Sequence, residues 1–100
     1  MNFIFICLAS FAILLDPAKI VTLAREHEIA AQQSVSLQCT ADGNPQPTYT
    51  WTPCDPQQSV CHESMLNVQA SKKSVYTCKV KNYLGSDSRN TTLCKLTREK

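Results

Sequence analysis

VSLQCTADGNPQPTYTW, residues 35–51, and VYTCKVKN, residues 75–82, decide how this chain folds. Val35, Leu37 and Cys39 alternate with Ser34, Ser36 and Gln38, the period of two that marks a strand with one buried face. Tyr76, Cys78 and Val80 alternate in the same way with Thr77, Lys79 and Lys81. Tyr49 and Trp51 give a third inward face, with Thr48, Thr50 and Thr52 turned outward. Cys39 and Cys78 stand 39 residues apart with Trp51 between them. The economical reading is that the two cysteines face each other across two packed sheets, with the indole against their disulfide.

The chain has 100 residues, enough for one domain, and six of them are cysteine. A core this small buries a modest share of its surface, so covalent help is expected. That cysteine content suits an oxidising compartment better than the cytosol. The formal net charge is only +2, but it is unevenly spread. Residues 1–70 hold two Lys/Arg against six Asp/Glu, and residues 71–100 hold eight against two.

Residues 3–15 form an uncharged run of thirteen residues rich in Phe, Ile and Leu, stopped by Asp16-Pro17. As a helix it would span about 20 Å, short of the roughly 30 Å hydrocarbon core of a bilayer. A secretory leader fits that length, although Lys and Arg are absent from its start; a first strand is the competing reading. The expected division is a leader over residues 1–18, carrying Cys7 with it, a folded domain over 19–97 and a charged tail over 98–100.

Within the domain, Ala18 to Leu23 reads as an edge strand, and residues 25–33 as a polar crossing to the second half of that edge. Strand boundaries are expected at Ser34 to Ala41, Thr48 to Pro53, Met65 to Ala70, Val75 to Asn82 and Arg89 to Thr97. A short returning strand is expected at Ser59 to Glu63. Asp42-Gly43-Asn44-Pro45 reads as a turn, and Leu84-Gly85-Ser86 as a hairpin tip.

Cys39, Trp51 and Tyr76-Thr77-Cys78 resemble the immunoglobulin superfamily, in the positions of its strand B cysteine, strand C tryptophan and strand F tyrosine corner. Asn44-Pro45-Gln46-Pro47 and Asn82-Tyr83-Leu84-Gly85 look like the I-set and constant-2 types used in adhesion and immune receptors. The resemblance implies an all-β, immunoglobulin-like sandwich of two antiparallel sheets with seven strands or fewer. Cys39 and Cys78 would form its inter-sheet disulfide, with Trp51 and Tyr76 in its core. One departure stands out: Lys72-Lys73-Ser74 replaces the acid that usually precedes the Tyr-x-Cys.

Cys54 and Cys61 flank a short turn, and a local disulfide is the reading taken over a metal site with His62, since zinc sites favour closer pairs and a fourth ligand. Cys94 is left over: a lone packed thiol, or a partner for another chain or domain. Asn90-Thr91-Thr92 is an acceptor sequence for an N-linked glycan. His27 and His62 are the only histidines and sit in no nucleophile motif, and Gly43 and Gly85 make no phosphate loop. The chain therefore reads as no enzyme, with no cofactor and no nucleic-acid partner.

The resemblance implies an extracellular recognition module, secreted or on the cell surface, whose partners are protein ectodomains. The expected context is the first domain of an adhesion or immune receptor glycoprotein, held to the membrane by sequence beyond Lys100. A free secreted ligand or decoy and a structural spacer are the alternatives. Two surfaces are candidates for binding. Asp55, on the turn between Cys54 and Cys61, resembles thinly the acidic loop that some adhesion molecules offer to an integrin-bound metal. Lys79 and Lys81, with Arg89 and Lys95 beside them and Lys72-Lys73 in the preceding loop, make a basic face for an acidic partner or acidic glycans. A merely solvated face explains the same lysines.

Overall fold

Two layers of strands, one a four-stranded sheet and the other two strand pairs, pack across the disulfide that joins Cys39 to Cys78, whose Cα atoms lie 6.6 Å apart. The computed structural model describes residues 14–30, 33–54, 60–69 and 74–95, and every regular element among these is a strand. In chain order they are β1 (Asp16–Thr22), β2 (Glu26–Ile29), β3 (Ser34–Gln38), β4 (Thr40–Asn44), β5 (Thr48–Thr52), β6 (Met65–Gln69), β7 (Val75–Asn82) and β8 (Gly85–Lys95). One sheet has the order β2-β8-β7-β5, antiparallel except where β2 runs parallel to β8. In the other layer β1 pairs with β4 and β3 with β6, both antiparallel. Only Cys39 separates β3 from β4, and β1 and β2 are successive halves of the first edge. With each of these two pairs counted as one line of chain, the eight strands make six lines.

Burial follows the alternation. Tyr76, Cys78 and Val80 of β7 are buried, while Val75, Lys79 and Lys81 are exposed. Leu37, Leu66 and Val68 face them from the other layer, with Ile20, Ile29 and Leu93 closing the ends. Trp51 stands directly opposite Cys78 in the β5–β7 ladder and is fully buried. Its Nε1–H donates to the Glu63 carbonyl at 2.8 Å, which satisfies the one polar group the indole brings inside. Burying an aromatic of 150–250 Å² contributes on the order of 4–6 kcal/mol at about 25 cal/mol per Å².

Polar residues on the inward side of β8 hold the edge strands. Thr91 is fully buried, and its hydroxyl meets His27 Nδ1 of β2 at 3.0 Å. Asp87 accepts the Ile20 N–H at 2.9 Å, and Arg89 donates to the Ile20 carbonyl at 3.2 Å. Side chains thus cap backbone groups of β1 that a neighbouring strand would otherwise bond. Asn82 gathers the top of the domain. Its Oδ1 accepts from the N–H groups of Ala18, Leu84 and Gly85, and its Nδ2 donates to the carbonyls of Asp16 (2.8 Å) and Pro45 (2.9 Å).

Several boundaries differ from expectation. β4 runs through Asp42-Gly43-Asn44, because Asp42 and Asn44 pair with Lys19 and Asp16 of β1 and tertiary pairing overrides turn chemistry. Gly43 is needed there for space: a Cβ would lie 2.8 Å from Pro47 Cγ. The hairpin tip is Tyr83-Leu84, so β8 begins at Gly85 and not at Arg89. Of the expected strand at Ser59 to Glu63, residues 60–63 are described and are not a strand. That segment crosses between the layers: the Cys61 carbonyl accepts from Trp51 N–H at 2.9 Å, and the Ser64 carbonyl from Cys39 N–H at 2.8 Å. The proposed leader over residues 1–18 lies mostly outside the described residues. From residue 16 onward its end belongs to β1, with Ala18 buried.

Candidate functional site

The inward side chains of the described strands form one buried cluster, and the side chains open to a partner lie on the outer faces. The outer face of the β2-β8-β7-β5 sheet is set by register. Thr48, Thr50 and Thr52 of β5 lie opposite Lys81, Lys79 and Thr77 of β7. Those in turn lie opposite Ser86, Ser88 and Asn90 of β8. Glu26 and Glu28 of β2 extend the face beside Thr92 and Cys94. Lys79 and Lys81 are both exposed and stand toward the Tyr83-Leu84 tip, while the two glutamates lie toward the other end.

Arg89 and Lys95 do not join this face. Arg89 lies opposite buried Cys78, and its guanidinium is engaged with the Ile20 carbonyl. Lys95 pairs with buried Ile29, on the side away from Cys94. Among the described residues the basic feature of this face is therefore a pair of lysines on β7. Lys72, Lys73 and Asp55 lie outside the described residues. The outer face of β3 and β6, by contrast, carries Ser34, Ser36, Gln38, Met65, Asn67 and Gln69 and no charge at all.

Tyr83 is the residue that the sequence reading passed over. At 70 % exposure it is the one exposed aromatic among the described residues, with Leu84 beside it. It follows Lys81 by two residues, at the same end of the face. The signal that finds it is the two-residue loop itself: once Asn82 faces Gly85, residue 83 must project from the tip.

Cys54 is bonded to Cys61, with Cα atoms 6.0 Å apart, which closes the loop that carries Asp55. Cys54 is exposed and Cys61 buried, so one end of that loop is anchored in the core. Cys94 is a free thiol, half-buried on β8. Asn90 is exposed, and its Oδ1 accepts a 2.7 Å hydrogen bond from Thr77 Oγ1. Among the described residues no group of three or more His, Cys, Asp or Glu is placed to hold a metal ion.

Comparison with known proteins places this geometry. A family model described as an immunoglobulin domain matches residues 17–82. The chain is 31% identical over 95 residues to leucine-rich repeats and immunoglobulin-like domains protein 1 of Homo sapiens, a match covering 85% of this chain and 9% of that protein. It is 36% identical over 77 residues to neural cell adhesion molecule L1.1 of Danio rerio, covering 66% of this chain and 6% of that protein. The chain thus spans less than a tenth of either relative. Among solved structures, the complex of Dpr11 IG1 with DIP-gamma superposes with a TM-score of 0.66 at 21% identity, covering 79% of this chain and 47% of that one. At that identity the likeness speaks for the fold.

Proposed function

The chain belongs to the immunoglobulin domain family, and from that membership we propose that it is an extracellular recognition module of a cell-adhesion or immune receptor glycoprotein. It docks another protein ectodomain through the tip end of its outer sheet face. The observation that carries this reading is the placement of Lys79 and Lys81 beside exposed Tyr83, at one end of a face whose β5 and β8 members are small and polar and whose two glutamates lie at the other end. Protein interfaces combine a central aromatic anchor, which loses water on contact, with polar groups that set orientation. Tyr83 supplies the first and Lys81, the lysine nearer the tip, the second. The likeness to an adhesion molecule, and to an immunoglobulin domain solved in complex with another immunoglobulin protein, supports a protein partner.

The test is a binding screen of the chain, captured on a surface, against a panel of recombinant immunoglobulin-type ectodomains, with heparin as the acidic-glycan probe. Lys79→Glu with Lys81→Glu should weaken protein binding at least about tenfold, a loss of roughly 1.4 kcal/mol or more. Heparin binding that falls steeply with added salt would assign the lysines to glycan instead. Binding that survives the lysine reversal but vanishes with Asp55→Ala and on chelation would move the site to the Cys54–Cys61 loop. A chain that binds none of these probes is a spacer, and the proposal fails.

A further inference from the structure

We propose that Asn90 carries an N-linked glycan that rises from the middle of the outer face, covers Lys79, and confines docking to the hairpin end at Lys81 and Tyr83. This rests on the extracellular reading above and names the part of that surface left open.

The acceptor Asn90-Thr91-Thr92 lies on β8, so its three residues have fixed surroundings. Thr91 points into the core and is fully buried, which turns its neighbour Asn90 outward, where it is exposed. The hydrogen bond from Thr77 Oγ1 engages the amide oxygen of Asn90. Its Nδ2, which no described residue engages, is left to carry a sugar without displacing any part of the fold. In the transfer, Nδ2 attacks C1 of an oligosaccharide held on a lipid pyrophosphate. The N–C1 bond forms, the C1–O bond to pyrophosphate breaks, Nδ2 gives up one proton, and the lipid pyrophosphate leaves.

Register then says what the glycan covers. Asn90 lies directly opposite Thr77, so Lys79, opposite Ser88, is its diagonal neighbour at about 7–8 Å. Lys81, opposite Ser86, is two residues further along, about 7 Å more at about 3.3 Å per residue. Tyr83 lies beyond it at the tip. A bulky sugar at Asn90 therefore blocks a partner from lying flat across the sheet. It leaves open the end where Lys81 and Tyr83 stand together.

The full chain, expressed in mammalian cells and recovered from the medium, gives the test in two measurements. Its intact mass should exceed the peptide mass, fall on treatment with a glycan amidase, and show no excess for Asn90→Gln or Thr92→Ala. Amine labelling with a bulky ester, read per residue by mass spectrometry on folded protein before and after the amidase, should then separate the lysines. Lys79 should label several-fold faster once the glycan is gone, and Lys81 should change less than twofold. Secreted chain at its bare peptide mass overturns the proposal while leaving the extracellular reading intact, as do equal Lys79 rates with and without glycan. Chain that stays inside the cell even behind an added secretion signal overturns both.

Discussion

Replacing Cys39 and Cys78 together by alanine should leave the domain largely unfolded at 37 °C. The bond closes a loop across a sequence separation of 39 residues, which in the chain-entropy account is worth about 4 kcal/mol. A domain of this size holds roughly 4–12 kcal/mol in total, so the loss is of the same order as the whole stability. The pair Cys54 and Cys61, separated by only seven residues, is the internal control. Its double alanine variant should lose about 2.5 kcal/mol by the same reckoning. Urea titrations of the two variants check both the size and the order of the effects. If removing the long-range bond costs no more than removing the local one, Cys39 and Cys78 are not what holds the two layers together.

The second large effect is expected at Trp51. Trp51→Ala should cost about 3–5 kcal/mol, because a fully buried side chain is removed from between two layers that cannot close the gap. Trp51→Phe separates packing from hydrogen bonding. It keeps most of the apolar surface but leaves the Glu63 carbonyl without its 2.8 Å donor, at about 1–3 kcal/mol. Trp51 is the single tryptophan, so its fluorescence reports on this site alone. Folded protein should emit at short wavelength and resist quenching by acrylamide, and urea should abolish both properties. Emission that is already water-like in the folded state would put the indole on the surface and undo the packing described above.

What could be read from the sequence was the alternation. In β3, β5 and β7 the inward residues are Leu37, Trp51 and the Tyr76-Cys78-Val80 row. A single-residue slip would turn these rows to water, so pattern and register carry the same information. The missed elements are those whose inward positions are polar. β8 begins Gly85-Ser86-Asp87-Ser88-Arg89, with no apolar residue to show a period, because Asp87 and Arg89 serve the backbone of Ile20. With no period to place it, the sequence sets Arg89 with the basic face. Antiparallel register through Tyr83-Leu84 corrects this, since it sets Arg89 against Cys78. β4 was hidden for a different reason: Asp42-Gly43-Asn44 has turn chemistry, and only β1 makes it a strand. Of the candidate surface, Lys79 and Lys81 were legible because they alternate with buried residues. Tyr83 was not, because its exposure depends on where the hairpin turns.

Non-reducing peptide mapping of chain recovered from culture medium tests most directly the central claim, an oxidised two-layer sandwich built for display outside the cell. The account predicts one linked fragment joining Cys39 to Cys78, a second joining Cys54 to Cys61, and Cys94 as a free thiol. A fragment joining Cys54 to Cys94, or recovery of Cys39 and Cys78 as free thiols in folded, exported protein, would contradict it.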